Sequence, residues 1–156
     1  MHTDGNTDSN DKTITVLNNL IETCHDGETG FHNAAEHAER PELKQLFSSL
    51  ATQRRSFVSE LEVHVSGLGG KPAEQGHIVA AAHRGWMDIK SAVAPSDDKA
   101  ILEECERGED YAKKAYTDAL KEPLLADVMP IVAKQAAEVR AAHDQVRDLR
   151  NAARAD

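Results

Sequence analysis

Two glutamates occupy matching places in a phrase that the sequence contains twice. Residues 20–28 read LIETCHDGE and residues 101–109 read ILEECERGE, so glutamate, cysteine, glycine and glutamate recur at a fixed offset. The phrases end on Glu28 and Glu109. Carboxylate oxygens are hard ligands that suit iron or manganese. The candidate metal ligands are therefore Glu28 and Glu109, with Glu138 as a third carboxylate further along the chain.

The repeat extends into the segments that follow each phrase. With the offset shifted by one residue, Pro41 corresponds to Pro123, and Gln53 corresponds to Gln135. Each glutamine follows its proline by 12 residues, and each glutamate precedes it by 13 or 14. In two antiparallel helices these side chains lie at one level, because a residue adds only about 1.5 Å along a helix. The predicted polar core layer consists of Glu28, Gln53, Glu109 and Gln135.

A carboxylate in such a layer needs a compensating partner. Leaving it unpaired in an apolar setting costs several kcal/mol. A metal ion could neutralise it, or a proton could do so and hydrogen-bond to a glutamine. Alternatively Arg54 could reach inward, or water could enter. The sequence leaves these solutions open.

Small residues flank the predicted layer. Gly27 and Gly108 cost roughly 1 kcal/mol each against alanine inside a helix, so we expect them to permit close approach of helices at this level. Cys24 and Cys105 lie one turn away. We expect them to be small, reduced core residues, with a redox pair as the alternative, since no thiolate-stabilising basic cluster is evident.

Apolar residues at steps of three and four predict an all-helical fold. Two helical hairpins of one pattern would be joined by a crossover helix over residues 73–94, whose Trp86 would cover the bundle or anchor a dimer contact. Residues 1–11 are predicted to be a flexible tail and residues 12–153 a single domain. The expected long helices run from about Lys12 to Glu39, from Pro41 to the glycines at 67–70, from Asp98 to Lys121, and from Leu125 onward with a kink at Pro130.

Composition limits the classes of function. The chain has 156 residues, 4% aromatic residues and a net charge of −9, which favours a helical bundle and argues against nucleic-acid binding. No apolar run approaches the roughly 18 residues of a membrane span, and the N-terminus lacks the apolar region of a signal peptide. We therefore expect a cytoplasmic protein that binds neither nucleic acid nor membrane.

Several segments carry a family resemblance. Residues 26–31 (DGETGF), 83–88 (HRGWMD), 102–110 (LEECERGED) and 142–147 (AHDQVR) resemble a family of uncharacterised bacterial ferritin-like four-helix-bundle proteins. The resemblance covers about residues 13–152. It implies a ferritin-like four-helix bundle, and it implies no activity, because the function of that family is unknown.

The chain departs from the ligand pattern of ferritin-like di-iron proteins. Those proteins take a glutamate from each of two helices and a Glu-x-x-His motif from each of the other two. At the latter positions this chain reads QRRS, starting at Gln53, and QAAE, starting at Gln135. His143 lies eight residues beyond Gln135, about 12 Å along a helix, and is expected to be a hydrogen-bonded histidine on a helix seam.

Three functional hypotheses follow. The first is a non-catalytic ferritin-like bundle that acts through association, as a homodimer or with an unknown partner, and needs no cofactor. The second is an oxidative or storage-type protein that binds iron or manganese through Glu28 and Glu109. The third is a helical adaptor whose polar layer sets register. The sequence contains neither a nucleophile elbow nor a glycine-rich phosphate loop, the motifs that would indicate an enzyme.

Overall fold

The computed structural model describes residues 4–74, 86 and 97–155. Within those residues the chain forms long α-helices and no strand, which confirms the all-helical class. The helices are α1 (Asp4–His37), α2 (Pro41–Gly67), α3 (Asp98–Ala119) and α4 (Met129–Ala155). No helix among the described residues is long and apolar enough to cross a membrane.

The observed ends of two helices differ from the predicted ones. Helix α1 begins at Asp4 instead of about Lys12, so much of the predicted tail lies in its first turns. The helix is first packed against the bundle at Thr13, which is fully buried, and at Ile14, which lies against Gly70, whereas residues 8–12 are exposed or half-buried. Helix α4 begins at Met129, so Pro130 lies in the first turn, where a missing N–H costs nothing. The predicted kink there is therefore unnecessary.

Local chemistry fixes the turns. Helix α2 ends where Gly69 adopts a φ of 84°, and the Gly69 and Gly70 N–H groups donate to the carbonyls of Ser66 and Val65, the pattern of a glycine-terminated helix. Between α1 and α2, the Asp98 carboxylate accepts hydrogen bonds from the backbone N–H of Glu39 and of Arg40, at 2.7 and 3.1 Å. The start of α3 is thereby tied to the first hairpin.

The helices pack so that α1 contacts both α2 and α3, while α3 contacts α4. The apolar core is in two parts. One part contains α1 residues 17–24 and α2 residues 57–65; the other contains α1 residues 31–38 and α2 residues 43–51. Polar groups occupy the level between them, and we call this level the central layer: Glu28, Gln53, Arg54 and Glu109, with Gly27 and Gly108 beside them. The predicted fourth member, Gln135, lies instead between Val132 and Val139, which belong to the first part of the core.

The predicted crossover helix lies outside the described residues except for Trp86. That side chain is 5% exposed and belongs to the second part of the core. Its ring meets the Phe31 ring edge-on, with centroids 5.2 Å apart. Trp86 is therefore packed into the bundle and offers little surface for a dimer contact.

Candidate functional site

An ion pair occupies the middle of the central layer. The Arg54 guanidinium on α2 donates from both terminal nitrogens to the two carboxylate oxygens of Glu109 on α3, at 2.5 and 2.7 Å. The two side chains are 1% and 0% exposed. This fork-to-fork geometry is the strongest form of a charge-assisted hydrogen bond. Of the solutions that the sequence left open, the structure shows the inward-reaching arginine.

The rest of the guanidinium is also engaged. Its Nε donates to the Gln53 side-chain oxygen at 3.2 Å, and its central carbon lies 5.4 Å from the centroid of the Phe31 ring, within cation–π range. Burial opposes the charged form, but attraction and hydrogen bonding from Glu109 outweigh it and raise the pKa of Arg54 above its usual value. The arginine is therefore a permanent cation in the core.

Glycines provide the space for the two large side chains at this level. A Cβ on Gly27 would lie 3.2 Å from Nη1 of Arg54, tighter than ordinary packing. A Cβ on either Gly30 or Gly108 would overlap the Trp86 ring. The glycines of the repeated phrase thus admit the side chains of Arg54 and Trp86. The expected role, close helix–helix approach, is replaced by this one.

A second group of polar side chains lies beside the central layer, at the first part of the core. The Tyr116 hydroxyl donates to the Gln135 side-chain oxygen at 2.6 Å and lies 3.2 Å from the Cys24 sulfur. The Gln135 amide nitrogen donates to Glu60 at 2.7 Å and lies 3.5 Å from the Phe57 carbonyl. We call this run, from Cys24 through Tyr116 and Gln135 to Glu60, the Tyr116 chain. It connects the buried thiol to a carboxylate on an exposed residue of α2.

Neither cysteine has the environment of a nucleophilic thiol. Cys24 and Cys105 are buried and unbonded to each other. Burial raises the pKa of Cys24 to about 11, against a lowering by Arg54 and by the hydrogen bond between Cys24 and Tyr116. Burial and the negative charge of Glu109 raise the pKa of Cys105 well above its usual value. Since the thiolate is the reactive form, both behave as small core residues.

The structure distributes the predicted site residues among different environments. Gln53 and Glu109 meet through Arg54, while Gln135 lies in the Tyr116 chain. Glu28 is half-buried and lines a groove of about 460 Å³ on the outer side of the α1–α2 hairpin. Glu138 is exposed on α4. The predicted metal ligands thus differ in burial, from the enclosed Glu109 to the solvent-facing Glu138.

Sequence reasoning did not assign Tyr116 or Glu60 to the site. Tyr116 follows Cys105, Glu109 and Ala112 at helical spacing on the buried face of α3, and its hydroxyl is a signal, because a buried tyrosine hydroxyl needs a hydrogen-bond partner. Glu60 gave no signal, since it is an exposed residue whose carboxylate happens to reach the amide of Gln135. Arg54 gave the clearest signal, as a charged residue interrupting an apolar stripe.

Comparison with known proteins places this helical bundle in a family. A family described as "Domain of unknown function (DUF2383)" matches residues 12–122. The chain belongs to this family. A search of the curated proteins found no match.

A solved structure has a similar fold. It is described as the crystal structure of a conserved hypothetical protein, rv2844, from Mycobacterium tuberculosis, and it superposes with a TM-score of 0.72 at 14% sequence identity. The match covers 92% of this chain and 94% of that one. At this identity the likeness concerns the fold alone.

Proposed function

We propose that this protein is a non-catalytic ferritin-like bundle, built from two related helical hairpins, that acts through association with a second copy of itself. The observation that carries the proposal is the buried Arg54–Glu109 pair. An arginine fills the level at which a ferritin-like protein would hold its metal ions, and the charge of the carboxylate is already neutralised. The layer then has a structural role, leaving the surface of the bundle to carry the function.

The donor atoms of the residues predicted to form the layer support this proposal. Both oxygens of Glu109 accept from Arg54, so a metal at Glu109 would have to displace a buried guanidinium. Both polar atoms of the Gln135 amide are engaged as well. Glutamines stand where the carboxylates of the Glu-x-x-His motifs would be needed. This set of donors does not fit a di-iron centre.

The different burial of the two repeated glutamates, Glu28 and Glu109, fits the same proposal. Glu28 and Glu109 end equivalent phrases, yet Glu109 is enclosed while Glu28 lines an open groove with Thr52 and Arg55. A metal-bridging pair would require both carboxylates to face one point. A structural layer requires only that each polar group find some partner, and two related hairpins can satisfy that in different ways.

Metal analysis tests the structural role of the layer. Tag-free protein, purified without chelator, is loaded with iron(II) or manganese(II), desalted and measured for bound metal beside the Glu28→Gln variant. We expect no bound metal that depends on Glu28. Stoichiometric iron or manganese that is lost in Glu28→Gln would overturn the proposal. Because Glu28 is half-buried, this variant should fold.

Sedimentation velocity tests the association. Over a wide range of concentration we expect the full chain to sediment as a dimer that dissociates on dilution. A monomer at every concentration would contradict self-association, whatever the result of the metal analysis.

A further inference from the structure

Three potential metal ligands converge on the seam between α3 and α4, outside the central layer. Glu106 and Asp110 lie one turn apart on α3, and His143 faces them from α4. One ligand atom from each, the two carboxylate oxygens and the imidazole Nε2, lie within 4.8 Å of one another. They include a buried imidazole and come from two helices, so the group is more than a run of surface acids.

The orientation of His143 is fixed from both sides of the ring. Its side chain is 5% exposed. Nδ1 lies 3.1 Å from Oδ1 of Asp144, while Nε2 lies 2.6 Å from Asp110 and 3.7 Å from Glu106. A neutral imidazole carries a single N–H. If Nδ1 donates to Asp144, Nε2 faces two carboxylates, and either a second proton on the ring or a metal ion would satisfy them.

Arginines contact two of the three carboxylates around the ring, those of Glu106 and Asp144. Arg150 contacts Oε2 of Glu106 at 2.8 Å, which leaves Oε1 directed to His143. Arg147 lies 3.3 Å from Oδ1 of Asp144. A carboxylate that accepts from the far nitrogen of a histidine is the usual support of a metal-binding imidazole, because it fixes the tautomer and the ring orientation. Asp144 is placed for that role.

We propose that Glu106, Asp110 and His143 bind one divalent transition-metal ion, such as Zn²⁺. One imidazole nitrogen with carboxylate oxygens is a donor set that Zn²⁺ accepts, with water completing the coordination. Ligand bonds of about 2.0–2.2 Å at tetrahedral angles place donor atoms roughly 3.3 Å apart. The distances from Nε2, 2.6 Å to Asp110 and 3.7 Å to Glu106, lie on either side of that value.

The accessibility of the three residues suits an ion that enters from solvent. His143 and Glu106 are 5% and 13% exposed, whereas the Asp110 side chain is 58% exposed. Asp110 can therefore move outward by the small distance that coordination requires, and water can reach the open positions. The inference does not rest on the proposed function, since none of its three ligands belongs to the central layer.

The test is calorimetric titration of Zn²⁺ into the full chain, tag-free and stripped of metal. We expect one equivalent to bind, with affinity reduced at least tenfold in Asp110→Asn and in His143→Gln. The support role of Asp144 predicts a loss of roughly tenfold to a hundredfold in Asp144→Asn. Substituting Co²⁺ gives a visible absorption band that reports coordination directly.

The matched control is Asp118→Asn, which removes an exposed carboxylate further along α3 that pairs with Lys114. We expect it to bind Zn²⁺ as the unaltered chain does, and Glu28→Gln likewise. The proposal is overturned if the unaltered chain binds no Zn²⁺. It is equally overturned if binding persists unchanged in Asp110→Asn, whose exposed position should leave folding intact.

Discussion

Arg54 and Glu109 join α2 to α3 through two parallel hydrogen bonds of 2.5 and 2.7 Å, at a level where both side chains are excluded from solvent. The pair lies between the two apolar parts of the core. Its geometry demands that both helices be in one register, because a shift of one turn would leave two buried charges unpaired. Buried polar groups set register in this way in other helical assemblies.

The first prediction concerns the two glutamates of the repeated phrase. Glu109→Gln should reduce the free energy of unfolding by about 3–5 kcal/mol, because it leaves the Arg54 guanidinium charged and buried without its partner. Glu28→Gln should change it by less than about 0.5 kcal/mol, since Glu28 lines an open groove. Urea denaturation measures both. Equal losses of stability in the two variants would contradict the assignment of Glu109 to the core and of Glu28 to an open groove.

The second prediction concerns the space that Gly108 leaves for Trp86. Gly108→Ala should destabilise the protein by about 1–3 kcal/mol, since the new methyl group would overlap the indole ring. Trp86 is the only tryptophan, so its fluorescence should shift to longer wavelength as the ring is displaced.

The matched control for that variant is Gly67→Ala, at a helical glycine whose added Cβ would meet nothing within 4 Å. Alanine should be neutral or stabilising there, because it favours the helix over glycine by about 1 kcal/mol. If Gly108→Ala is as stable as Gly67→Ala and its fluorescence is unchanged, Trp86 is not seated against Gly108.

The third prediction concerns alkaline pH. In the unfolded chain a thiol loses its proton near its ordinary pKa of 9.0, whereas the pKa of folded Cys24 is about 11. Below pH 9 both states keep the proton and stability is complete. Above pH 9 unfolding releases the proton, so the folding equilibrium constant should fall about tenfold per pH unit for each buried thiol.

The measurement is the unfolding free energy between pH 9 and 10. Burial raises the pKa of Tyr116 well above its ordinary value of 10.0, so its contribution to the pH dependence sets in mainly above that range. The variant with Cys24→Ala and Cys105→Ala should show a shallower dependence on pH than the unaltered chain, whatever its absolute stability. The same slope in both proteins would refute the assignment of the alkaline loss to the thiols.

The fourth prediction concerns the Tyr116 chain. Tyr116→Phe removes the hydroxyl that donates to Gln135 and contacts Cys24. The buried amide oxygen then lacks that donor, at a cost of about 1–3 kcal/mol in unfolding free energy. Tyr111→Phe, at a half-buried tyrosine beside a surface groove, should cost less than about 0.5 kcal/mol. Comparable losses in both variants would argue against the chain.

Local patterns in the sequence were sufficient for much of the fold. Pro41 and the glycines after residue 66 delimit α2 because their backbone restrictions act within a few residues, and the observed helix has these ends. The start of α1 could not be predicted in this way. Residues 8–12 are polar and are exposed or half-buried, so no apolar periodicity marks the point at which the helix begins.

The sequence pattern brought Gln53 and Glu109 to one level, but it did not predict which side chains make contact there. Counting residues from Pro41 places Glu28 and Gln53 at similar heights, because α2 begins at that proline. The same count from Pro123 is wrong for Gln135, because α4 begins six residues later, at Met129. Which glutamate is enclosed depends on what fills the space beside each glycine, and the answer differs between the halves: Arg54 lies against Gly27, and Trp86 lies against Gly108. Tertiary packing determines which side chain lies beside each glycine, and the repeat in the sequence does not predict it.

A double-mutant cycle on Arg54 and Glu109 tests the central claim most directly. Arg54→Met and Glu109→Leu should each cost about 3–5 kcal/mol of unfolding free energy, because each leaves one buried charge alone. The double variant should be far more stable than the sum of the two losses implies, with a coupling energy of about 2–3 kcal/mol. Additive losses, within about 0.5 kcal/mol, would contradict a central layer held by this ion pair.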